Sequence, residues 1–111
     1  MAVYKIIHYE ETFAAGELKD VVKEKAEEDY HIKHILFRRK DGKPLTGSTV
    51  TIEIDAVAKV KEVATAAIFG TDKLNALELD WDWPKAKELK IGFRNLEGET
   101  IDLYVDIVCV E

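Results

Sequence analysis

The sequence predicts an all-β fold, a jelly-roll-like antiparallel β-sandwich, and three observations carry that prediction. Apolar and polar residues alternate at period two over Ser48–Asp55, Ala76–Trp83 and Ile101–Val110, the signature of strands with one buried face. Turn-forming residues separate the strand-like stretches at short intervals: Gly16, Asp41-Gly42, Gly70-Thr71-Asp72 and Gly98. Short strands punctuated by turns, rather than strands alternating with long helices, point to a sandwich or barrel. At 111 residues the chain is one domain, 1–111, large enough to bury a core without disulfides.

Val3–Tyr9 is rich in Tyr, Ile and Val and reads as the first strand, followed by a loop at Phe13–Gly16. Glu17–Asp29 pulls two ways. Leu18, Val21, Val22 and Ala26 fall at helical spacing, so local propensity favours an amphipathic helix. The sandwich instead requires a strand here, or one short helix within 17–29 capping one end. Tyr30–Arg39 is apolar and β-branched, and Asp41-Gly42 signals a hairpin into Ser48–Asp55. Ala56–Phe69 holds a short helix, or a loop with a strand at Thr65–Phe69. In Ala76–Trp83, Leu77, Leu79, Trp81 and Trp83 share one face, with Glu78, Asp80 and Asp82 opposite. The clearest element is a C-terminal hairpin, Leu89–Arg94 turning into Ile101–Val110. Its last residues, Val108 and Val110, make the end apolar on both sides.

The net charge is −6, with 34% charged residues, which argues against nucleic acid or an anionic membrane surface as partner. No apolar run reaches the roughly 20 residues that span a bilayer, so no membrane insertion is expected. Met1–Lys5 leads straight into a strand pattern without a signal-peptide core, which predicts cytoplasmic synthesis with no signal peptide. A single cysteine, Cys109, excludes an internal disulfide. Glutamine is absent, asparagine occurs only at Asn75 and Asn95, and Lys and Glu abound, a thermophilic pattern.

The chemistry-bearing residues are few. His31 and His34, three apart on a strand, point to opposite faces and do not chelate together; they and His8 read as ordinary histidines. The stripe Glu78, Asp80, Asp82 has the oxygen ligands of a hard-cation site, but a solvated face that discourages edge pairing explains it more simply. Trp81 and Trp83 pack in the core, line an oligomer interface, or form a platform for stacking a sugar ring. Arg38 and Arg39, with Lys40 and Lys43, surround the Asp41-Gly42 turn as a solvated tip or a contact for an acidic neighbour. Cys109 reads as core, and nothing raises Asp102 or Asp106 toward an acid–base role.

Three stretches carry a family resemblance: residues 15–35 (AGELKDVVKEKAEEDYHIKHI), 44–55 (PLTGSTVTIEID) and 85–111 (KAKELKIGFRNLEGETIDLYVDIVCVE). In layout they resemble small jelly-roll domains of the structural proteins of phages and archaeal viruses. There, a loop leads into a polar strand, a Thr/Val strand ends in Asp, and a Phe-x-Asn strand end turns into a Val/Asp-rich last strand. The resemblance implies a structural or attachment role, a homo-oligomer or larger protein assembly, and a place in a virion. It carries no catalytic residues.

The expected function is therefore a non-catalytic structural or interaction module, not an enzyme and without cofactor or bound metal: a self-assembling subunit, or a decoration or attachment protein, of a virus-like particle. Val108, Val110, Trp83, Arg38 and Arg39 are its candidate interface residues. The alternative is a carbohydrate-binding module using Trp81 and Trp83. A metal-dependent enzyme built on His31, His34 and the Glu78 stripe ranks third.

Overall fold

β-branched and aromatic residues at period two build nine strands in the computed structural model, which describes residues 4–59, 64–69 and 77–110. They are β1 (Tyr4–Phe13), β2 (Leu18–Lys25), β3 (Tyr30–Arg39), β4 (Thr49–Ile54), β5 (Val57–Ala58), β6 (Ala64–Thr65), β7 (Trp81–Trp83), β8 (Glu88–Arg94) and β9 (Ile101–Val110). One sheet runs β1-β9-β3-β7; the other runs β2-β8-β4, with β5 and β6 both pairing with β4. The strand pairings are antiparallel. The chain changes sheet at almost every connection, and the late strands β8 and β9 insert between early ones. That is the interlocked Greek-key order of a jelly roll.

Each sheet turns its apolar side inward. Ile35, Phe37, Leu103, Val105 and Ile107 of one sheet meet Val50, Ile52, Leu89, Ile91 and Phe93 of the other, all nearly or fully buried. Phe93 lies edge-on to Phe13 at 4.9 Å and stacks on Phe37 at 6.4 Å, so aromatic contacts cross from sheet to sheet. Asp55 and Ala56, both at positive φ, form the two-residue turn that joins β4 to β5.

The helix expected within 17–29 does not form, because Leu18–Lys25 is β2, hydrogen-bonded along β8. Val22 and Ala26 reach the core, and Leu18 stays 63% exposed. A bulge between Asp20 and Val22 resets the period-two alternation, which is why the pattern imitates a helix.

The two predicted hairpins are also corrected. β8 and β9 have nearly the expected boundaries, yet β8 pairs with β2 and β4 while β9 pairs with β1 and β3. The chain crosses the core between them instead of turning back on itself. The same holds for β3 and β4 on either side of Asp41-Gly42. Alternation specifies which side of a strand is buried; it does not say whether the next strand lies beside it or across from it.

The strand expected at Thr65–Phe69 is a short β6 followed by a 3-10 turn at Ala66–Phe69. Of the stretch expected over Ala76–Trp83, residues 77–83 are described: Trp81–Trp83 is strand, residues 77–80 are irregular, and Leu77 is 44% exposed. The turn expected at Gly70-Thr71-Asp72 lies outside the described residues.

Candidate functional site

The outer face of the β1-β9-β3-β7 sheet carries two histidine–carboxylate groups. His8 on β1 stands directly opposite Asp106 on β9. Its Nδ1 lies 2.5 Å from Asp106 Oδ1 and its Nε2 lies 3.0 Å from Glu10 Oε1. His31 on β3 repeats the arrangement: Nδ1 contacts Asp82 at 2.8 Å and Nε2 contacts Asp80. A ring that donates from both nitrogens is an imidazolium. Asp106, then Glu10, hold His8 above the usual histidine range; Asp82, then Asp80, do the same for His31. Pinned between two carboxylates in this way, neither ring has a nitrogen left over for general-base work or for a metal.

His31 and His34 do share a face, contrary to the alternation rule. A bulge between Ile32 and His34 places His31 opposite Val110 and His34 opposite Val108. They still do not act together: His31 is committed to the two aspartates, and His34 Nδ1 lies 3.2 Å from the Leu77 carbonyl. The carboxylate stripe is thereby half explained, with Asp80 and Asp82 serving His31. Among the described residues, no group of three or more His, Cys, Asp or Glu side chains is placed to hold a metal ion. Asp102 accepts a hydrogen bond from Thr12 Oγ1 at 2.6 Å, again as a cross-strand pair. Cys109 is fully buried, and desolvation pushes its thiol up to about 11, far from a reactive thiolate.

The candidate interface residues separate. Arg39 is buried rather than presented: its Nη2 donates to Asp41 at 2.7 Å and to Glu99 at 2.5 Å. Arg38 alone stays exposed, with its guanidinium 5.1 Å from the Tyr104 ring centre. Val108 is 2% exposed and stands opposite His34 on β3, next to Lys33, whose carbonyl accepts from Leu79 N–H at 2.7 Å. Val110 is half-buried. Trp83 is 1% exposed, tilted against Tyr30, and its Nε1–H donates to the Lys87 carbonyl at 2.7 Å. An indole so enclosed has no face for a sugar ring or a second chain. Trp81 is half-buried against the same core.

Two features had no sequence signal beyond a turn. Asn95, fully buried, donates from Nδ2 to the carbonyls of Phe13, Ala14 and Glu99, at 3.1, 3.1 and 2.7 Å. Two residues on, the Glu97 carboxylate accepts from the N–H groups of Thr46, Gly47 and Ser48 and from the hydroxyls of Thr46 and Ser48. Burial opposes its charge, but the donors from Ser48, Thr46 and Gly47 outweigh that and bring Glu97 down from 4.5 to about 2. A carboxylate with a depressed folded value stabilises the fold above its unfolded value. Its contribution, at most about 3 kcal/mol and reduced by solvent screening, is therefore intact above pH 4.5 and lost as pH falls toward 2. Glu97→Gln is expected to flatten stability across that window, read from urea unfolding at a series of pH values.

The outer face of the second sheet is different. Leu18, 63% exposed, and Leu96, 48% exposed, edge a shallow groove of about 340 Å³. Thr49, Thr51, Gly92 and Arg94 also line it. A Cβ on Gly92 would meet Thr51 Oγ1 at 2.8 Å, so only glycine lets β8 lie this close to that side chain. Leu18 opposes Arg94 across the β2–β8 pair, so an exposed leucine sits beside the stem of an arginine.

Among the described residues no helix is long and apolar enough to cross a membrane. Comparison with known proteins finds no matching family model, no matching curated sequence and no matching solved structure.

Proposed function

We propose that this chain is a non-catalytic assembly module, a jelly-roll subunit that packs against copies of itself as part of a virus-like particle. The observation that carries the reading is the groove edged by Leu18 and Leu96. Two leucines this exposed, lining one depression, favour cover by another chain. The pinned histidines and the inert buried thiol support a structural role, since each is already committed to neighbours or to the core. The jelly-roll strand order agrees with the resemblance to viral structural domains, though a fold by itself does not make a function.

Sedimentation velocity on the full chain at micromolar concentration tests this. The expected result is a species heavier than one chain that shifts toward smaller mass when Leu18→Glu and Leu96→Glu are combined. A wild-type chain that stays monomeric at every concentration overturns the proposal.

A further inference from the structure

We propose that two copies of the chain pair through β1, edge to edge and antiparallel about a two-fold axis, joining their sheets into one; this rests on the self-assembly reading above. β1 pairs with β9 on one side, and among the described residues no strand lies along its other side. It is ten residues long and contains no proline. An edge of that length is a ready template for another strand unless something blunts it.

The hydrogen-bond parity shows which groups are free. In an antiparallel ladder a residue's N–H and C=O both point to the neighbour or both point away. The Thr12 carbonyl accepts from Lys19 Nζ at 2.6 Å instead of from β9, so Thr12 points away. Asp102, opposite Thr12, sends its carbonyl to Lys40 N–H on the far side, which agrees. By the period of two, Ile6, His8 and Glu10 also present N–H and C=O to the open edge.

Two-fold pairing must bring these outward residues opposite one another, so the axis passes through a residue; the longest overlaps are centred on His8 or Tyr9, and shorter ones on Ile7 or Glu10. The register centred on Tyr9 sets Lys5 against Phe13 and Ile7 against Glu11, and one centred on Glu10 leaves Lys5 unpaired, so neither gives Lys5 a charge match; the register centred on His8 loses only the outermost Thr12 carbonyl, which Lys19 takes. The register centred on Ile7 sets Lys5 against Tyr9, with no charge match. The register centred on His8 sets Lys5 against Glu11 twice and Ile7 against Tyr9 twice. Ile7 and Tyr9 are half-buried at the margin of the core and would gain cover. On its core-facing side the strand is thus self-complementary in apolar contact and charge, which makes a second copy its occupant; on the outer side the two His8 rings meet at the axis, each held by Asp106 and Glu10 of its own chain.

The test uses light scattering and sedimentation on the full chain. Ile6→Pro removes an N–H that points away from β9 and a side chain that is 64% exposed. It is expected to abolish the two-chain contact while leaving the far-UV circular dichroism unchanged. Lys5→Glu or Glu11→Lys alone should weaken that contact about tenfold, and the two together should restore it. Lys19 keeps Glu17 as a partner at 3.3 Å when Glu11 is changed. A contact that survives Ile6→Pro, or a double variant that does not recover, overturns pairing through β1 while self-assembly stands. A wild-type chain that is monomeric throughout overturns both. Should Ile6→Pro fail to fold, the charge exchange decides alone.

Discussion

Asn95→Ala is expected to cost about 3–5 kcal/mol and to lower the thermal midpoint by more than 10 °C, on the order set by a domain of this size. The Nδ2 group of Asn95 serves carbonyls from three places: Phe13 at the end of β1, Ala14 in the following loop, and Glu99 in the crossing between β8 and β9. Its Oδ1 accepts from Glu97 N–H at 3.0 Å, and its own backbone exchanges bonds with Gly16 and Glu17. One side chain thus ties both crossings at this end of the sandwich. Alanine would leave these carbonyls without the donor that now serves them, and each such loss costs about 1–3 kcal/mol. Asn95→Asp is the sharper control. It keeps the shape and the acceptor but loses both donors and adds a charge, so it should be at least as damaging. Urea unfolding of the two variants gives the numbers, and a loss below about 1 kcal/mol for alanine would show that the surrounding carbonyls find other partners.

Trp83→Ala is expected to cost about 3–5 kcal/mol, whereas Trp81→Ala costs about 1 kcal/mol. Trp83 is among the largest fully buried side chains, stands 5.4 Å from Tyr30, and holds the Lys87 carbonyl. Its removal opens a cavity and orphans an acceptor, while Trp81 is only partly enclosed. Tryptophan fluorescence separates the two without mutation. Acrylamide should quench one indole readily and the other poorly, and the residual emission in Trp81→Phe should be the protected one. Equal quenching of both would mean that Trp83 is reachable, which would return the sugar-platform reading to consideration.

The candidate interface was the least legible part of the molecule. Arg38 and Arg39 are adjacent in sequence, yet one lies against Tyr104 at the surface and the other is buried between Asp41 and Glu99. Alternation gives them opposite faces, but only the fold supplies Glu99 from a distant loop. Val108 sits where β9 is apolar on both sides, yet it is buried, beside the part of β3, Lys33–His34, to which Leu79 and Leu77 are hydrogen-bonded. The histidine–carboxylate groups were invisible for the same reason: His8 and Asp106 are 98 residues apart and meet as cross-strand neighbours. A bulge of one residue, which leaves no mark in the sequence, was enough to bring His31 and His34 to one face.

What the sequence determined by itself was most of the long strands and their buried sides. Period two in Ser48–Asp55, Leu89–Arg94 and Ile101–Val110 is a local property, and it survives wherever the strand is placed. Charge balance and the single cysteine are equally local. The tertiary structure decided pairing, which is non-local. It turned two apparent hairpins into crossings between sheets, made a strand of Leu18–Lys25 against its helical propensity, and left β1 with an open edge. The physical reason is common to all three. A strand's ladder is satisfied only by a neighbour, and the neighbour that best shares the core wins over the one that is next in the chain.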